Sequence, residues 1–104
     1  MAKTVVSAFH NQEVAAQVLN SMLNRGYDSR YFSVIQPAGA AEQRSGSMLH
    51  DVPSIQARLY RKDLQKGDSI FVARVSENDV ARLIKLLQAT GGHHIEAFDV
   101  SKAS

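Results

Sequence analysis

The residues of this chain best suited to chemistry are four histidines: His10, His50 and the adjacent pair His93 and His94. Imidazole nitrogens ligate divalent metals and exchange protons near neutral pH, so histidines gathered around a carboxylate would predict a metal or acid–base site. The spacing argues against one. His93 and His94 are neighbours in an extended segment, where successive side chains point to opposite faces, so one ion does not readily take both. His10 and His93 are expected near opposite ends of the sheet, and no Asp or Glu stands with the histidines in a recognised ligand motif. They are expected as surface and turn histidines, with no metal and no cofactor. The chain has no cysteine, which removes thiolate catalysis, disulfides and sulfur-bound zinc. Ser7, Ser33 and Ser69 stand in no nucleophile motif. Gly39, Gly46 and Gly91–Gly92 lack the strand-to-helix setting of a phosphate loop. No catalytic residue is expected, and the chain is not expected to be an enzyme.

The 104 residues suffice for one domain over 1–104, and the net charge of +2 is small. The densest basic group, Arg58, Arg61, Lys62 and Lys66, is interrupted by Asp63, which is unlike the one-sided footprint of a nucleic-acid binder. No apolar run approaches the roughly 18 residues of a membrane span. The short apolar stretch after Thr4 reads as a strand, not a signal-peptide core, and a cytoplasmic location is expected.

The elements that must position these groups are written twice. With Val14 set over Val80, an offset of 66 residues, Val6 falls over Val72, Val18 over Ile84, Gly26 over Gly92, Phe32 over Phe98 and Val34 over Val100. Each copy predicts a strand, an amphipathic helix ending near glycine, and a second strand. In the first copy these are 3–9, 12–25 and 31–36, with Asn11 as N-cap. In the second they are 69–75, a helix capped by Ser76 with Asp79 three residues on, and 95–100. Between the copies, 38–52 reads as a flexible loop. A helix follows from Ser54 to about Gln65, with Ile55 and Leu59 on one side and Ala57, Tyr60 and Leu64 on the other. Residues 101–104 are expected to fray.

Two βαβ halves predict an α+β fold: a ferredoxin-like βαβ-(α)-βαβ two-layer sandwich, with a four-stranded antiparallel sheet and helices on one face. The first strand of each half would be central. The parity holding Val5, Phe9, Phe71 and Val75 is assigned to the helical face. Val6, Ala8, Ile70, Val72 and Arg74 are then left on the other face as an apolar interaction face, with Arg74 either paired to Glu96 or Asp99 or contacting an anion. A second subunit is expected to cover that face, which predicts a homodimer. Cover by the chain's own residues 38–66 is the alternative.

The segment Ala57-Arg58-Leu59-Tyr60-Arg61-Lys62-Asp63-Leu64-Gln65-Lys66-Gly67-Asp68-Ser69-Ile70-Phe71-Val72 resembles the centre of bacterial general stress protein 17M-like (heat-induced stress protein) domains. Val75 to Ala81, Leu86–Leu87 and Gly91–Gly92 are similar to their last helix and its exit. Val5 to Phe9 with Val14–Ala15 resemble their opening strand and helix. Asp68 stands where the usual second glycine would follow the middle helix. The resemblance implies a ferredoxin-like fold, a bacterial cytoplasmic setting and a link to stress, and it transfers no catalytic residue.

The expectation from sequence is a non-enzymatic, self-associating domain with a stress-related or regulatory role. One alternative is a small-molecule sensor that closes 38–52 over a ligand. A lesser one is an RNA-binding module, which needs Phe9 and Phe71 on the open face to stack bases.

Overall fold

The computed structural model describes residues 2–35 and 54–99. The expected loop at 38–52, with His50, Gly39 and Gly46, and the expected fraying at 101–104 lie outside the described residues. In chain order the elements are β1 (Ala2–Phe9), α1 (Gln12–Asn24), β2 (Phe32–Ile35), α2 (Ser54–Gln65), β3 (Ser69–Ser76), α3 (Val80–Ala89) and β4 (His93–Asp99). None of these helices is long and apolar enough to cross a membrane.

Local signals explain most boundaries. The Asn11 side chain accepts a hydrogen bond from the Glu13 backbone N–H at 2.8 Å and so starts α1. Ser76 accepts from the Asn78 N–H, but the turn it opens is a single 3-10 turn, Glu77–Asp79, that leads into α3. A second 3-10 turn, Ser29–Tyr31, delays β2 until Phe32. All three helices stop in the same way. Gly26, Gly67 and Gly91 take the left-handed backbone, and the residue after each glycine donates its N–H back five positions: Tyr27 to Met22, Asp68 to Asp63, Gly92 to Leu87. The repeat offset pairs Gly26 with Gly92, whereas the left-handed position falls on Gly91. Gly92 is required for a different reason. A Cβ there would lie 2.5 Å from Ser7 Oγ and 3.0 Å from the Leu87 carbonyl oxygen.

The strands form one open antiparallel sheet in the order β2-β3-β1-β4. β1 and β3, the opening strand of each copy, lie side by side in the centre, with Val6 opposite Val72 and Phe9 opposite Ser69. The fold is thus α+β, a four-stranded antiparallel sheet with three helices among the described residues.

Each face of the sheet has its own core. On one face Val5, Phe9, Phe71, Ala73 and Val75 pack with Ala15, Val18 and Met22 of α1 and Leu83 and Leu87 of α3. The phenylalanine parity is therefore the one beneath these two helices. On the other face Val6, Ala8, Ile35, Ile70 and Val72 pack with Ala57, Tyr60 and Leu64 of α2. This corrects two expectations. Helices lie on both faces of the sheet, and Val6, Ala8, Ile70 and Val72 are the floor of a second core, fully buried beneath α2. The physical reason is the side of α2 that carries Ala57, Tyr60 and Leu64. It is apolar enough to seal the sheet from within the chain, and leaves Leu59, on the other side of the helix, 52% exposed.

Candidate functional site

Three strand ends and one helix end meet at a single corner of the molecule. His10 follows β1, Asp68 directly precedes β3, His93 and His94 begin β4, and Asp63 lies in the last turn of α2. The C-terminal turn of α2 sets both acids. Because Asp68 donates its N–H to the Asp63 carbonyl at 2.9 Å, the two residues flank the Gly67 turn and enter the site together. A second glycine brings in the histidines, since α3 ends at Gly91 and the chain re-enters the sheet at His93.

A bulge then places both histidines. Val6 pairs with Glu96 and Ala8 with His93, so β4 uses three steps where β1 uses two. His94 takes up the extra residue with φ of 50°, a left-handed backbone that side chains other than glycine rarely adopt. Strict alternation is broken, and the His93 and His94 rings come to 5.0 Å between centroids. Tyr60 reaches down from α2 and donates its hydroxyl to the His94 carbonyl oxygen at 2.6 Å. A bulge leaves ladder groups without a strand partner, and the Tyr60 bond supplies one.

The polar contacts form two linked sets. Asp68 is bonded by His10 Nδ1 on Oδ1 at 2.9 Å and by His93 Nε2 on Oδ2 at 3.1 Å, and the two imidazoles stack at 4.2 Å. Asp63 is bonded by His94 Nδ1 at 2.8 Å. Both carboxylates are buried, His93 is partly buried, and His10 and His94 are exposed. Burial pushes the Asp68 carboxyl up, but the hydrogen bonds and charge from His10 and His93 outweigh it, holding Asp68 below the usual carboxylate range. Burial, reinforced by the negative charge of Glu96 and Asp63, pushes the Tyr60 phenol well above the usual tyrosine value.

Beside the second set lies a groove of about 250 Å3 between α2 and β4, lined by Leu59, Tyr60, Lys62, Asp63, Lys66, His94 and Glu96. Its walls alternate in character. Leu59 and the Tyr60 ring are apolar, Lys62 and Lys66 stand one helical turn apart, and the Asp63–His94 pair forms the polar end.

The interaction face expected from sequence is elsewhere. Arg74 is half-buried opposite Thr4 and lines a hollow with Ala2, Tyr31, Val75 and Ser76. Phe9 and Phe71 are buried in the two-helix core, so neither offers a ring for base stacking. Sequence reasoning named His10, His93 and His94 but missed their convergence, because it set His10 and His93 near opposite ends of the sheet and assumed alternation across 93–94. Asp63 was read only as an interruption in a basic segment, and Asp68 only as the residue standing where a second glycine would follow the middle helix. The signal that could have found them is their shared offset from Gly67, which a glycine-terminated helix converts into proximity.

Compared with known proteins, the chain matches no family model, no curated protein and no solved structure.

Proposed function

We propose that this chain is a ligand-sensing domain of ferredoxin-like fold, with no reaction of its own, that binds a small amphipathic anion in the groove between α2 and β4. Supporting the ferredoxin-like assignment are the two βαβ halves and the strand order β2-β3-β1-β4. The observation that carries the functional reading is the groove itself. Its volume of about 250 Å3 suits a small metabolite, since clefts for drug-sized ligands run about 300–1,000 Å3. Leu59, a large apolar side chain left half in water, offers the ligand a hydrophobic wall. Lys62 and Lys66 offer the anionic group two ammonium donors, and His94 a further polar contact. A cytoplasmic setting and a stress-linked or regulatory role belong to this reading, as the sequence resemblance implies. A homodimer built on the sheet face does not, because α2 already occupies that face.

Ligand-observed NMR with a panel of short aliphatic carboxylates and phosphate esters tests the proposal. The expected result is saturable binding by at least one amphipathic anion. Leu59→Asp and the double variant Lys62→Ala/Lys66→Ala should each weaken it about tenfold, the equivalent of one lost charged or apolar contact. Ligand signals that stay chemically unchanged over hours would fit a sensor, and conversion to a product would replace that role with catalysis. Binding that ignores both variants would remove the groove from the account.

A further inference from the structure

The corner holds a second set of donors outside the groove. His10 Nδ1, His93 Nε2 and the Asp68 carboxylate all lie within 4.8 Å of one another, with the nitrogens 2.9 and 3.1 Å from the carboxylate oxygens. An ion bonded at about 2.0–2.2 Å to nitrogen and oxygen separates neighbouring ligand atoms by roughly 3.0–3.5 Å. The contacts at Asp68 come within a few tenths of an ångström of that spacing.

Charge and ring placement point the same way. Among the described residues, the side chains bonded to the Asp63 and Asp68 carboxylates are imidazoles. Both acids sit at the C-terminal end of α2, where the helix dipole adds negative potential and favours a cation. The His10 and His93 rings stack at 4.2 Å and each presents one nitrogen to the Asp68 carboxylate.

We propose that His10 Nδ1, His93 Nε2 and the Asp68 carboxylate bind one divalent transition-metal ion of the zinc type. Two imidazoles and one carboxylate, with no thiolate, suit Zn2+, Co2+ or Ni2+, whereas Mg2+ and Ca2+ prefer oxygen alone. Three protein ligands leave the ion at least one open position. A second triad, Asp63, His93 and His94, shares His93 and lies within the same 4.8 Å limit, so a fourth donor from Asp63 or His94 is close by. The sequence-level objection, that adjacent strand histidines diverge, does not apply across the bulge at His94.

The test uses the full chain after chelator treatment, with ZnCl2 alone in calorimetry and CoCl2 alone in visible absorption. The expected result is one ion per chain, with cobalt bands of nitrogen–oxygen coordination. His10→Ala and Asp68→Asn should each weaken binding about tenfold or more. The groove variant Lys62→Ala/Lys66→Ala should bind zinc as the parent does, so the two sites succeed or fail separately. Because the His10 side chain is 79% exposed, His10→Ala leaves the core intact and decides the matter even if Asp68→Asn unfolds. No saturable binding below about 1 mM, or affinity unchanged within about twofold in His10→Ala, overturns the assignment.

Discussion

The two faces of the sheet are covered unequally, and the inequality locates the candidate groove. Four strands at about 4.8 Å spacing make a layer roughly 19 Å across, and a helix with its side chains is about 10–12 Å wide. The α1 and α3 helices together span one face, over an apolar cluster that the buried Ser7 and Ser69 interrupt. On the other face α2 is the one helix among the described residues. It sits over the central strands and leaves the flank beside β4 as the groove, where a tyrosine hydroxyl, a buried aspartate and a bulged strand meet. One face is built for packing. The other combines packing with a polar margin that water and ligands can reach.

Cutting one large side chain from each core tests this contrast most strongly. Phe71→Ala in the two-helix core should cost about 3–5 kcal/mol, a large share of the roughly 5–15 kcal/mol that holds a domain of this size together. Leu64→Ala beneath α2 should cost less, toward the lower end of the about 2–5 kcal/mol range, because a helix held by one layer can settle into the space. Urea unfolding of both variants would measure the difference, and equal or reversed costs would break the contrast.

Next in size is a change where the turn after α3 crosses β1. Gly92→Ala drives a methyl group into Ser7 Oγ and should cost about 1–3 kcal/mol as overpacking. Adding Ser7→Ala in the same chain should recover part of that loss, and a strictly additive double variant would place the strain elsewhere.

The smallest effect separates the polar margin from the core beside it. Tyr60→Phe keeps the ring and removes the bond to the His94 carbonyl, so it should cost about 0.5–1.5 kcal/mol at neutral pH. The pH dependence has a definite sign. The folded phenol titrates above its unfolded value of about 10, so its contribution is complete below that pH and is lost as pH rises toward the folded value. Between about pH 10 and 11 the parent should lose stability more steeply than Tyr60→Phe. Parallel profiles would mean that Tyr60 is not buried as described.

Much of this was legible in the chain. The repeated strand–helix–strand pattern placed β1 and β3 in the centre, Asn11 and the glycine exits bounded the helices, and the parity of Phe9 and Phe71 selected the two-helix face. The two apolar sides of α2 were also visible, but not which surface they would meet. Hydrophobic periodicity says that a face must be covered and is silent on whether a helix of the same chain or another molecule covers it. The candidate site was less readable still. His10, Asp63, Asp68, His93 and His94 are spread over 85 positions, and only sheet pairing brings their ends to one corner.

The sequence by itself determined the local geometry of this protein: where α1 starts, where glycine stops the helices, and that both parities of the central strands are apolar. Those features depend on short-range sterics, capping bonds and alternation. Only the tertiary structure decided that α2 seals the second face and that an extra residue in β4 turns His94 beside His93. Each outcome depends on which distant segments share a sheet, and a one-residue bulge reverses the facing that alternation would assign.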